Sequence, residues 1–121
     1  MTAIIQTLMK ESRFVSGLEE FNAGNFFEAH EIWEDLWNDL VGESKQLCQG
    51  LIQIAAGYHK AAIGVPAGAR KLLDRGLRAL SPFLSEKTPE MLRFAAVVDR
   101  DLEQLRRGAV GLQQNPTLSL F

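Results

Sequence analysis

The strongest constraint on this chain is the spacing of its apolar residues. They recur every three or four positions along almost its whole length, and no stretch alternates apolar and polar over several residues. Apolar residues at that spacing make one face of an α-helix, whereas half-buried strands need a period of two. β-Branched residues are also sparse, so the expected fold class is all-α. Glycine and proline set the punctuation. Helices are expected over Ala3 to Ala23 with a break at Lys10–Ser12, over Asn25 to Val41, over Lys45 to Gly64 with Ser44 as its cap, from Pro66 to Ser81, and from Pro89 to Gly108. Asn25 with Glu28 has capping-box spacing, and Pro66 and Pro89 suit first helical positions, where an N–H is not needed. The expectation is a compact bundle of about five helices.

At 121 residues the chain is read as a single helical domain, 1–121, with 1–11 and 109–121 expected to be peripheral. The apolar tail residues Leu118, Leu120 and Phe121 are expected to dock either on the body or on a partner. Nothing approaches the roughly 20 apolar residues of a membrane span, and Met1 to Lys10 lacks the layout of a signal peptide. The lone Cys48 fits a reducing compartment, so a cytoplasmic location is expected. The net charge of −2 speaks against a general nucleic-acid binder. That charge is uneven, being −5 over residues 1–65 and +3 over 66–121. An acidic helix packed beside a basic one accounts for this; a polyanion site on Arg70, Lys71, Arg75 and Arg78 is the sharper alternative, diluted by Asp74.

The helix ending at Val41 carries the chemistry. Projected at about 100° per residue, its apolar residues fill an arc of roughly 220°, wide enough for two packing neighbours. His30 and Glu34 fall inside that arc, one turn apart, while Glu28, Glu31, Asp35 and Asp39 fall outside it. The next helix is apolar on nearly every side, apart from a strip of Gln49, Gln53 and Lys60 flanked by Gly50 and Gly57, where another backbone could approach. His59 also falls in an apolar arc, so both histidines of the chain are expected to face the core. Two imidazoles and a carboxylate are a common ligand set for a divalent transition metal, zinc or iron. The candidate site is therefore His30, Glu34 and His59 as metal ligands, with Glu34 either a ligand or a catalytic general base. Glu31, Trp33, Trp37, Gln49 and Gln53 are expected to support or wall it. The competing reading is a buried polar cluster inside a non-catalytic helical interaction module, with self-association into a homodimer as its expected partner mode.

Other chemistries lack their residues. His30 to Glu34 departs from the zincin pentapeptide at its last position, and there is no Glu-x-x-His pair, phosphate-binding loop, dinucleotide fingerprint or nucleophile elbow. Cys48 and His59 lie about 16 Å apart along one helix, too far to share an ion.

The run from Phe21 to Trp37, FNAGNFFEAHEIWEDLW, followed by Gln49-Gly50-Leu51-Ile52-Gln53 and His59, resembles domain of unknown function family 309. That family is marked by a His-x-x-x-Glu-x-x-Trp motif, here His30, Glu34 and Trp37, and the likeness covers roughly residues 12–84. The resemblance implies an all-α bundle and a metal site, without an established activity. Gly24-Asn25-Phe26 with Ala29 is also similar to the helix turn of a tetratricopeptide repeat, and Tyr58 to Leu80 is a looser echo. Two imperfect repeats are too few for a solenoid, which needs about three, so a repeat-like hairpin within the bundle is expected.

Overall fold

The computed structural model describes residues 2–120. They form six α-helices: α1 (Ala3–Met9), α2 (Ser12–Asn22), α3 (Phe26–Trp37), α4 (Gly42–Ala62), α5 (Pro66–Leu80) and α6 (Pro89–Arg106), with a 3-10 turn at Ser81–Phe83. There is no strand among the described residues, and none of their helices is long and apolar enough to cross a membrane. The helix count is six rather than five because the expected break near Lys10 is complete: α1 ends at Met9 and α2 starts afresh at Ser12.

Helix ends follow backbone needs more than side-chain caps. At the α2–α3 corner Gly24 has φ +84°. The Asn25 N–H bonds to the Glu20 carbonyl at 2.8 Å and the Gly24 N–H to that of Phe21 at 3.0 Å, which is a Schellman closure. Asn25 does hold the N-cap position of α3, but its amide donates to Glu20 Oε2 at 2.8 Å instead of capping the helix. α4 begins two residues before Ser44, at Gly42, and no side chain caps it. Pro66 and Pro89 both open their helices as expected. Thr88 precedes α6, yet its hydroxyl pairs with the Phe83 carbonyl and the Ser85 N–H and so ties off the preceding loop.

α4 runs through the middle, with α3 and α5 packed on it from either side and α2 behind α3. Trp33 of α3 is wholly buried. Its indole stacks near Phe14 and Phe21 and donates to the Phe14 carbonyl at 3.0 Å. A Cβ at Gly17 would meet that indole at 2.3 Å, so glycine makes room for it. The close approach expected at Gly50 and Gly57 is present and is shared by α5: added Cβ atoms at Gly57 and Gly76 would lie 2.7 Å from Leu73 Cδ2 and 2.4 Å from Ile54 Cγ1. The tail docks on the body. Leu118 and Leu120 are buried, and Asn22 holds Leu118 through two bonds, donating to its carbonyl at 2.9 Å and accepting from its N–H at 2.7 Å. Phe121 lies outside the described residues. At the other end, Ile5 and Leu8 bury α1 against the core.

Candidate functional site

α3 and α5 both pack on α4, and α5 does so without closing on α3. A groove therefore runs over α4 between its two neighbours. One part of it, a cleft of about 360 Å³, is lined by His30, Glu34 and Trp37 of α3, by Gln49, Ile52, Gln53 and Ala56 of α4, and by Leu72 of α5. Positions 30, 34 and 37 share one face because an α-helix turns every 3.6 residues. Gln49 and Gln53, four apart on α4, bring two amides to the facing wall by the same rule.

His30 Nε2 lies 3.0 Å from Glu34 Oε2, and its other nitrogen is 3.9 Å from Glu31 Oε1. The pair is not a core pair. The His30 side chain is 27% exposed and that of Glu34 is 56% exposed, against the inward placement expected of both. The helical projection ranks positions by polarity without knowing the neighbours. α2 and α4 cover most of the wide apolar arc of α3, and the edge bearing His30 and Glu34 is left over the groove. Glu31, also exposed, stands beside His30 at the rim.

His59 does not join them. It is only partly buried, and its ring packs edge-on against Phe27 at a centroid distance of 5.2 Å. Phe27 also approaches His30, at 6.4 Å. The two imidazoles thus meet the same phenyl ring rather than converging on one point. Among the described residues no three His, Cys, Asp or Glu side chains form a group able to hold a metal ion. As they stand, His30, Glu34 and His59 do not fit a three-ligand centre; only the first two are together.

The two tryptophans divide. Trp33 belongs to the core, not to the cleft wall. Trp37 does line the cleft, and its Nε1 is shielded from solvent with no hydrogen-bond partner among the described residues. A buried N–H without an acceptor costs about 1–3 kcal/mol. On the ring face, Lys45 Nζ sits 4.1 Å from the centroid, a cation–π contact.

One polar pair escaped the sequence reasoning. The Tyr58 hydroxyl donates to Asp101 Oδ2 at 2.6 Å, and Asp101 is 4% exposed. The signal was available: Asp101 falls in the α6 stripe of Val98, Leu102 and Leu105. Burial, helped by the neighbouring carboxylate, pushes the Tyr58 phenol well above its ordinary range.

These features define a small all-α domain whose open groove carries a histidine–carboxylate pair on one helix. Residues 14–72, from α2 into α5, match the domain of unknown function DUF309. His30, Glu34 and Trp37 all lie within the matched segment. An uncharacterized protein of Aquifex aeolicus (strain VF5) is 31% identical over 71 residues, which are 58% of this chain and 20% of the relative. The chain therefore spans about a fifth of that relative's length. No solved structure matches.

Proposed function

We propose that this domain binds a small polar molecule in the groove over α4 and that His30 and Glu34 exchange protons with it. The observation carrying this is the 3.0 Å His30–Glu34 contact, set in the wall of a cleft that Trp37, Gln49 and Gln53 also line. Imidazole is the side chain best suited to proton transfer near neutral pH, and a carboxylate beside it orients the ring. Partial exposure leaves both groups within reach of a ligand. Gln49 and Gln53 supply donors and acceptors on the facing wall, the convergent polar groups expected of a small-molecule site.

The test is a screen of small polar fragments on the full chain by ¹H–¹⁵N correlation spectroscopy. Hits are expected to move resonances of Trp37, Gln49 and Gln53 together, and to be lost in a folded His30→Ala variant. Hits scattered over the surface, or unaffected by that substitution, overturn the reading.

A divalent metal, zinc or iron, is the second reading. What favours it is the i, i+4 placement of His30 and Glu34, by which one helix offers two donors at one point. Elemental analysis of untagged protein, with His30→Ala as control, decides it: equal metal content in the two proteins removes the metal.

A further inference from the structure

The cleft at His30 continues toward the start of α4. Trp37 and Gln49 also line a second cleft, of about 560 Å³, completed by Gly42, Lys45 and Gln46 of α4, by Arg78 and Ala79 of α5, and by Pro82. Lys45, Gln49 and Gln53 follow one another at four-residue steps, so the floor of the groove is a single stripe of α4 from its first turn to its middle. The two ends of this stripe differ in charge. Glu34 and Glu31 flank His30 at one end. At the other stand Lys45, which has no carboxylate within ion-pair distance among the described residues, and Arg78.

Nearby carboxylates do not cancel these cations. Asp74 takes Arg78 through its Nε at 3.0 Å and also binds Arg106 at 3.2 Å. One acid thus serves two guanidinium groups. Glu43, in the first turn of α4, lines a different hollow with Leu47 and Phe83. The first amides of α4 are uncapped by any side chain, which adds partial positive charge at the same end. Between the cations the walls are carbon: the Trp37 ring, Ala79, Pro82 and the stem of Lys45. Trp37 lines both clefts, and its solvent-shielded N–H lacks an acceptor among the described residues.

We infer that the Lys45–Arg78 end of the groove is the anion subsite for an organic carboxylate. The ligand's apolar body lies on Ala79, Pro82 and the part of the Trp37 ring that Lys45 leaves uncovered, and the rest of the molecule reaches toward His30. This rests on the reading of the groove as a ligand site and adds the ligand's class. Two cations and an apolar wall suit a monoanion with a hydrocarbon body; they reject both a neutral analogue, which leaves the cations unanswered, and a free inorganic anion, which leaves the wall unfilled.

Naphthalene-1-carboxylate, naphthalen-1-ylmethanol and inorganic phosphate, each titrated into the ¹⁵N-labelled full chain, test it. The carboxylate is expected to move the Trp37 indole N–H and the amides of Gly42 and Gln49, with a Kd at least ten-fold below that of the alcohol. Lys45→Met and Arg78→Gln are each expected to weaken the carboxylate at least five-fold and to narrow its advantage over the alcohol. Equal affinity for acid and alcohol, an unchanged Kd in both variants, or phosphate reproducing the same shifts overturns the subsite. Glu34→Gln in the same titration separates the two readings. Carboxylate binding within two-fold of wild type there, combined with failure of the fragment screen at His30, keeps the subsite and removes the proton-exchanging pair. Loss of the carboxylate preference beside intact His30-dependent hits does the reverse.

Discussion

Tyr58 of α4 and Asp101 of α6 hold each other inside the core by a single 2.6 Å hydrogen bond from phenol to carboxylate. The other oxygen of Asp101 lies 3.6 Å from an Arg100 guanidinium nitrogen. Tyr58→Phe removes the donor and leaves a buried carboxylate short of a partner, at a cost of about 1–3 kcal/mol. Asp101→Asn keeps an acceptor for the phenol and is expected to cost less. Urea denaturation of both variants checks the order; Asp101→Asn proving the more harmful would mean that charge, not the hydrogen bond, is what matters at this site.

Two glycines of α5 respond oppositely to alanine. A Cβ at Gly76 would press on Ile54 Cγ1 at 2.4 Å and on the Gly50 carbonyl oxygen at 3.0 Å, whereas one at Gly68 meets nothing nearer than 3.5 Å. Gly76→Ala is therefore expected to destabilise by about 1–3 kcal/mol through overpacking. Gly68→Ala is expected to stabilise by up to about 1 kcal/mol through helix propensity. Thermal melts of the two proteins side by side give the sign of each.

Alkaline pH is expected to weaken the fold. Burial raises the Cys48 thiol to about 12 and raises the Tyr58 phenol as well. Both groups keep their protons longer when folded than when unfolded. Their contribution is complete below the unfolded values, near 9.0 for the thiol and 10.0 for the phenol, and is lost as pH rises toward the folded ones. The slope is at most about 1.4 kcal/mol per pH unit per group. Measured between pH 9 and pH 11, Cys48→Ala should lose stability less steeply than wild type; parallel slopes would show that the thiol does not titrate differently in the two states.

Asn22 ties down the tail beside its buried Leu118 and Leu120. Asn22→Ala deletes both bonds to Leu118 and is expected to cost about 1–2 kcal/mol. Hydrogen exchange at the Leu118 amide should quicken more than at any amide of α4. Uniform acceleration would instead indicate global loosening.

His30 and Glu34 should matter little to stability. Both side chains are partly exposed, and exposed ion pairs contribute at most about 1 kcal/mol. His30→Ala and Glu34→Gln are expected to unfold within that margin of wild type. A loss of several kcal/mol would return the pair to a structural role.

Much of the fold was legible in the sequence because backbone rules are local. Gly24 and Gly64 terminate helices, Pro66 and Pro89 start them, and the periodicity of α4 marked it as central. The glycines at 50 and 57 announced the contact with α5. Exposure was harder to read. A helical projection sees Phe27, His30, Trp33 and Glu34 as one arc, but only the packed neighbours decide that Trp33 is sealed while Glu34 faces the groove. His59 was misread for the same reason: it is only partly buried, and its ring packs on Phe27, itself 43% exposed. Asp101 was overlooked because a carboxylate in an apolar stripe reads as an interruption until its partner on another helix is known.

Glycine-lined contact between α4 and α5 also bears on how the groove can change. With Leu73 and Ile54 seated against Gly57 and Gly76, two of the three helices around the groove behave as one stiff plate that cannot slide or part without opening the core. α3 forms the wall opposite, anchored by the buried Trp33. Inherited variation in what such a site accepts should accumulate on its exposed edge, around Phe27 and Glu31, while the plate facing it stays fixed by packing alone.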